Sequence, residues 1–467
     1  MKKMISYAYG TGFCMMVLLS PACNKMLEIP SNAPGQLVTG QVFADSSTAV
    51  SGVVGMYTAA FASGGPLSLY MSLYPSLSSD DLATSNPSDP FYTNALAVGN
   101  ESLQGSAGFI WEGFYNNNLI YQTNAAIEAL TASKTLTKSL KDQLIGECEM
   151  IRALSYFYLV NLYGPVPLAL STSYQVNNKL PRAPVDTVYA QITKDLVDAS
   201  ARLSAGYPSA ARARPNKYTA MALLSRVYLY RGQWSQAKTT ADAIIHSGMY
   251  SLEALDNVFL AGNQEAIWQG IPVGFYNYVT FEGSAFTPYG SGIIPQYYLN
   301  DHLKAAFEPG DQRASGWVSS TNVNGTDYYY PYKYKNRDGV QVGSRMEGEV
   351  LFRLAEQYLI RAEAATQLGD LAGAALDIDT IRNRAGLPNT TAASRDDLLA
   401  AIAHERQVEF FCEWGHRWLD LKRTGAVGTV MSQAKGGRWP ADGHAALYPI
   451  AYDQFRLNPG WQQNAGY

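Results

Sequence analysis

Apolar positions through residues 350–387 recur at the spacing of a helix. Leu351, Leu354, Ala355, Tyr358, Ala362 and Ala365 share one face. Gly369-Asp370 breaks the period, because glycine takes turn conformations that other residues resist. A second period then carries Leu371, Ala374, Ala375, Ile378, Ile381 and Ala385. Alanines at facing positions let two antiparallel helices approach closely, so the pattern predicts a helical hairpin. The same relation of glycine to alanine recurs at Gly232 and Ala237, within residues 223–252. Two hairpins so far apart predict one helical layer assembled from distant segments, with the intervening chain inserted or packed alongside. Further helices are predicted over 45–61, from Trp111 to about Leu130, and over 187–203, 217–232 and 396–414. Another, over 140–163, stops before Pro165 and Pro167.

The periodicity fails in two places. Residues 64–104 carry many breakers, SSDDLATSNPSDPFYTN among them, and residues 263–349 interleave aromatics with Gly, Asn, Ser and Pro. Irregular stretches of that length in a compact protein are usually functional. The hairpins have the Leu, Tyr, Gly and Ala spacing of a tetratricopeptide unit, which scaffolds and does no chemistry itself. The predicted class is mainly α: a scaffold of tetratricopeptide-type hairpins, with long irregular, aromatic-rich insertions forming a ligand face.

Composition agrees with a folded chain. Of 467 residues, 47% are hydrophobic and 16% charged, and a net charge of −4 gives no reason to expect nucleic acid as a partner. Tyrosine stands out, with 32 copies against 16 Phe and 8 Trp. Its flat apolar face and polar tip suit wet recognition surfaces as well as helix packing. At the N-terminus, Lys2 and Lys3 precede an apolar run over residues 13–19 and then Ser20-Pro21-Ala22-Cys23. This reads as a lipoprotein signal peptide over residues 1–22, with Cys23 lipidated (palmitate) and residues 23–40 as a tether. The usual leucine three places before the cysteine is Ser20 here, and ordinary cleavage near Ala22 is the alternative. No other apolar run approaches the ~20 residues that span a bilayer. Cys148 and Cys412 sit in helical patterns and read as buried free thiols.

Candidate chemistry is thin. His404-Glu405 lacks the second histidine of a zinc-protease helix, because Val408 stands there. His404, Cys412 and His416 have no paired ligand spacing, so neither a metal nor another cofactor is expected. Glu405, Arg406, Glu409, Glu413, Arg417, Asp420 and Arg423 form the densest charge cluster and read as a structural ion-pair network, not as acid–base groups. Gly436-Gly437 lacks phosphate-loop spacing, and no catalytic residue is expected.

Several blocks together resemble one family. They are GECEMIRALSYFYLVNLYGPVPL (146–168), the 350–387 hairpin ending in RNRAGL, ERQVEFFCEWGHRWLDLKRTG (405–425) and LYPIAYDQFRLNPGWQQNAGY (447–467). With Trp111-x-x-x-Tyr115 and the Cys23 signal, they are similar in kind and order to the RagB/SusD family. The resemblance implies an outer-membrane lipoprotein anchored through its lipid and facing the cell exterior. It implies a lid on a SusC-like, TonB-dependent transporter, to which the lid hands oligosaccharides, or peptides in the RagB branch; no catalysis is implied. A subunit of the transporter without ligand affinity of its own is the remaining alternative. Residues 41–215 and 216–467 would form the two sequence regions of one compact unit.

No motif fixes the binding positions, so candidates are taken where polar and aromatic residues meet in breaker-rich sequence. A sugar ring packs its C–H groups on an aromatic face, and its hydroxyls need polar side chains in the ring plane. The first region offers Asp80, Asp81, Phe91, Tyr92 and Asn94, and the second offers Tyr276, Asn277, Tyr278, Tyr289 and Trp317.

Overall fold

The computed structural model describes residues 39–62, 65–96, 110–115, 119–272, 279–338 and 346–467. The signal sequence, Cys23 and nearly all of the tether lie outside the described residues. The longer helices are α1 (Ser46–Phe61), α2 (Tyr70–Ser78), α3 (Leu119–Ala132), α4 (Lys138–Tyr163), α5 (Val185–Arg202), α6 (Lys217–Tyr230) and α7 (Trp234–Ile245). After a long excursion come α8 (Leu354–Gln367), α9 (Leu371–Arg384), α10 (Arg395–Phe410), α11 (His416–Arg423) and α12 (Val427–Lys435). Side-chain caps set several starts. The Asp45 carboxylate accepts from the Ser47 and Thr48 N–H groups at α1, Asn216 and Thr219 form a reciprocal capping box at α6, and Asp370 caps α9. Each satisfies amide donors that the helix itself leaves open.

From α3 to α10 each helix packs on the next, which makes one layer of antiparallel hairpins. The α8–α9 hairpin closes on Ala362, Ala365, Ala374 and Ile378, all buried. The distant α6–α7 hairpin stacks directly against it, with Leu229, Ala237 and Ala241 meeting Ile360 and Ala364. The repeats are therefore neighbours in space, with the chain between them extruded from the layer.

Short strands organise that excursion and tie it to the first irregular region, which supplies β1 (Leu82–Thr84); the others are β2 (Ala266–Gly270), β3 (Tyr297–Leu299), β4 (Val318–Val323), β5 (Thr326–Pro331) and β6 (Glu349–Arg353). β2 and β6 pair antiparallel, Ala266 with Arg353 and Gly270 with Glu349, and this fully buried ladder closes the neck of the excursion. It also corrects the start of the hairpin. The helix expected from Val350 begins at Leu354, because the preceding residues are bonded to β2. β4 and β5 form a hairpin about Asn324-Gly325, both at positive φ, a geometry that Asn-Gly supplies at low cost.

Two other expectations change. Residues 64–104 hold a helix, α2, packed into the core with Met71, Leu73 and Leu77 buried. The helix expected over 396–414 ends at Phe410, and two further helices, α11 and α12, follow it. Cys412 and Trp414 adopt left-handed backbone there (φ 54° and 46°), followed by Gly415. The break is stabilised from outside the helix. Lys333 Nζ donates to the Glu409 and Phe411 carbonyls, and the Asp81 carboxylate accepts the Cys412 N–H. Both described cysteines, Cys148 and Cys412, are buried free thiols.

Candidate functional site

The densest charge cluster of the sequence folds inward. α10 aims Glu405 and Glu409 at Arg313 (2.9 and 3.1 Å), which also holds Asp311. Glu409 takes Arg353 and Arg384 as well, and Arg353 continues to Glu265 and Glu413. Burial alone would raise the Glu409 carboxyl; Arg384, Arg353 and Arg313 together hold it well below the usual carboxylate range. Arg406 and Arg423 share Asp420, and Arg423 reaches Glu363. His416 stacks on Phe410 at 4.7 Å, and burial, with Arg226 and Arg406 nearby, keeps it neutral by pushing its pKa well below the ordinary value. With every charge compensated inside the helical layer, these groups are braces.

Several expected ligand residues join the same interior. Asp80 accepts a bidentate pair from Arg417 (2.7 and 2.8 Å), tying the first irregular region to α11. Asp81 is buried, and burial followed by the Asp80 charge raises its pKa to about 7. Phe91 stacks on Tyr74 at 4.2 Å. Asn94 sits at φ 54° and donates to the Ser78 carbonyl. Trp317 is 0% exposed and donates its indole N–H to the Leu255 carbonyl at 2.9 Å. For these five the expectation of ligand contact gives way to packing, because each side chain is buried and held by at least one protein contact, although Asp81 Oδ1 and Asn94 Oδ1 keep no partner of their own. Tyr276, Asn277 and Tyr278 lie outside the described residues.

Tyr92 and Tyr289 reach the surface, and around them the structure gathers residues the sequence reading passed over. β1 from the first irregular region pairs antiparallel with β3 from the second, Ala83 opposite Tyr298 and Thr84 opposite Tyr297. Tyr298 meets Tyr328 of β5 edge to face at 5.2 Å. Tyr70 and Tyr74 stack at 5.2 Å on the α2 side, and burial, then Asp89 and Tyr70, raises the Tyr297 phenol to about 12. Tyr92 lies beneath Lys435 (4.5 Å) and Arg438 (5.2 Å), and the exposed Tyr329 lies under Lys304. Tyr289 is 80% exposed, with the Arg337 guanidinium 3.4 Å from its ring centre. Its loop is pinned to β4 where the Gly292 N–H meets Thr321 Oγ1. The β1–β3 pairing and the Tyr298–Tyr328 contact bring tyrosines of the two irregular regions together, with Arg337, Lys304 and Arg438 against their rings, while burial lowers the Lys435 pKa to about 7.

Comparison with known proteins identifies the architecture. The SusD family model matches residues 274–467, and a second model, described as starch-binding associating with outer membrane, matches residues 73–229. The chain belongs to the SusD/RagB family. SusD-like protein P25 of Formosa agariphila is 23% identical, with 95% of this chain and 96% of that protein aligned. A SusD-like protein of Bacteroides ovatus is 25% identical over 71% of this chain and 67% of its own. A SusD superfamily structure from Bacteroides vulgatus superposes with a TM-score of 0.78 at 20% identity, covering 91% of this chain and 99% of that one. A laminarin-binding SusD-like protein does so at 0.73 and 23% identity, covering 90% and 99%.

Within this SusD/RagB scaffold, one further cluster brings ligand-type atoms together: Glu308, His404 and Glu405. Arg382 binds both carboxylates (2.6 and 2.7 Å), and His404 Nε2 meets the Ala306 carbonyl at 2.7 Å, so the cluster works as an ion-pair and hydrogen-bond junction. A signal for Tyr297 and Tyr298 was present in the sequence, as adjacent tyrosines following a proline. Their pairing with β1 was not, because it joins positions more than 200 residues apart.

Proposed function

We propose that this chain is a cell-surface glycan-binding lipoprotein, anchored through Cys23, that captures oligosaccharides on the face around β1, β3 and β5. It then passes them to a SusC-like, TonB-dependent transporter in the outer membrane. The observation that carries the reading is the β1–β3 pairing. It fuses the two irregular regions into one tyrosine-lined surface on a braced helical back, and exposed ring faces with polar tips are what a pyranose ring needs. The laminarin-binding relative of the same fold and the starch-binding description of the second family model support a glycan over other ligands. Residues 41–215 and 216–467 act as one unit in this reading, joined by β1–β3 and by Asp80–Arg417.

Titration calorimetry of the full chain against oligosaccharides and, in parallel, mixed peptides tests the proposal. Glycan binding that Tyr289→Ala and Tyr329→Ala weaken supports it. Binding of peptides alone would replace it with the RagB-type reading, and binding to the transporter without any free ligand would make the chain a structural subunit.

A further inference from the structure

A cavity of about 420 Å³ opens between α3, the 167–180 loop and the C-terminal segment 454–461. It is not part of the β1–β3–β5 face. Four ring-to-ring steps separate it from that face, Tyr74 to Phe91, Tyr448, Tyr163 and then Trp111, at 4.2, 5.3, 6.0 and 5.2 Å. Its size falls in the range of small-molecule sites.

The lining has an unusual composition. Aromatic rings come from Trp111, Tyr115, Tyr121, Tyr174 and Trp461, and amides from Asn124, Asn177, Asn178, Gln454 and Asn458. Among the described residues, no Asp, Glu, Lys, Arg or His lines it. A second cavity, between α6, α8, α10 and α11, is lined by Glu363, Arg406, Arg417, Asp420 and Arg423, so charge is not scarce on this scaffold. Its absence here disfavours peptide termini, acidic sugars and phosphates, each of which needs a counter-charge or a fan of donors.

The amides and phenols of this lining suit hydroxyls, and two lining residues carry an unpaired polar atom beneath the surface. The buried Trp111 Nε1–H is a donor without a partner, and the buried Asn177 Oδ1 is an acceptor without one. Buried polar atoms are ordinarily paired, and a hydroxyl can serve either need because it both donates and accepts. The wall is also held firmly. Asn124 is fixed by the Ala169 carbonyl (3.0 Å) and Arg152 (2.8 Å), Tyr115 donates to the Pro167 carbonyl, and Trp461 donates to the Leu180 carbonyl (3.1 Å). Against this rigid floor, Tyr121 and Tyr174 are 50% and 69% exposed, which leaves ring surface free at the mouth.

We infer that this cavity is a second saccharide site, selective for uncharged sugar units, separate from the β1–β3–β5 face. The inference rests on the proposed reading only in that the chain binds glycans. It differs in where the sugar sits and in excluding acidic ones.

The test is titration of the full-length chain with uncharged oligosaccharides (laminarihexaose, maltohexaose, cellohexaose, mannohexaose) and with oligogalacturonate as the charged counterpart. Two variants are compared with the unmodified chain: Tyr121→Ala/Tyr174→Ala/Asn178→Ala at the cavity mouth, and Tyr289→Ala/Tyr329→Ala at the loop face. The expected result is an uncharged oligosaccharide whose affinity falls about tenfold or more in the cavity variant and stays within about twofold in the loop variant. Oligogalacturonate should be indifferent to the cavity variant. If all bound uncharged sugars respond to the loop variant alone, the inference fails and the proposed function stands. Response to the cavity variant alone keeps the inference and removes the loop face as the binding site. No binding of any uncharged member, or cavity-dependent binding of oligogalacturonate, overturns the inference. Tyr174→Ala alone, at so exposed a position, serves where the triple variant unfolds.

Discussion

The α10–α11 region and the β1–β3–β5 face draw on the same residue types to opposite ends. In the first, Glu405, Glu409, Glu413, Asp420 and their arginines are sealed and paired with one another. In the second, tyrosines present rings and hydroxyls outward, with Tyr289 held over by Arg337 and Tyr329 by Lys304. Asp80 and Trp317 show that composition cannot tell the two apart. Both look like sugar-binding residues in sequence, and both are consumed by the interior. What separates brace from recognition surface is whether a polar group already has its partner inside the protein. Buried charge in turn fixes how distant segments register, which lets the exposed loops vary without loosening the scaffold.

The sharpest way to break this contrast is to remove one brace. Glu409→Ala leaves Arg313, Arg353 and Arg384 short of a shared buried carboxylate. Breaking a buried pair from one side costs about 3–5 kcal/mol. Chemical denaturation should show a loss of that order, or failure to fold; a midpoint close to that of the unmodified chain would mean these charges are not braces. Next in size is the hairpin. Ala374 is fully buried where α8 and α9 meet, so Ala374→Leu overpacks the contact at about 1–3 kcal/mol. It should lower stability and leave the order of preference among bound oligosaccharides unchanged. Altered preference at unchanged stability would contradict the division of labour.

A smaller, pH-dependent effect lies at the neck of the excursion. Glu282 and Glu349 are both buried; burial raises Glu282 to about 7, and burial with the Glu282 charge raises Glu349 well above the usual carboxylate value. The folded state therefore holds protons that the unfolded chain releases near pH 4.3. The stability these groups contribute is complete below that value and is lost as pH rises through their folded values. Glu282→Gln removes one of the ionisations and keeps an acceptor for the Ser72 hydroxyl. Thermal midpoints of variant and unmodified chain should agree near pH 4 and diverge in favour of the variant by pH 8. Parallel midpoints across that range would show that the pair does not titrate in this way.

Much of the scaffold was legible in the sequence because its information is local. Leu354 to Ala385 announce two helices by periodicity, and Gly369 marks the turn between them. The charge cluster was legible as structural because Glu405 and Glu409 share one helix face with Arg406 available for pairing, and because these residues lie in a block that resembles the family as a whole. The start of α8 was misplaced because Val350 to Arg353 carry apolar residues that suit either a helix or a buried strand, and only β2 decides. The β4–β5 hairpin was readable from Asn324-Gly325 between strand-forming residues and was passed over. The candidate face was read only in outline. Which tyrosines reach solvent depends on β1 meeting β3 and on Asp80 finding Arg417, contacts that no local window contains.

The smallest change in stability should accompany the most direct test of the face. Tyr289 is largely exposed, and its contacts are with the Arg337 side chain and not with the core. Tyr289→Ala should alter folding free energy by no more than about 0.5 kcal/mol, as surface substitutions generally do. A sugar ring stacked on it would lose an aromatic contact worth about 0.5–1.5 kcal/mol, a roughly two- to tenfold weaker affinity. Tyr289→Phe keeps the ring and loses only the hydroxyl, so it should retain most of the binding if stacking is the interaction. Equal loss in the two variants would assign the contribution to the phenol hydrogen bond. No loss in either, with glycan binding intact, would move the recognition surface away from this loop and toward Tyr92, Tyr298 and Tyr329.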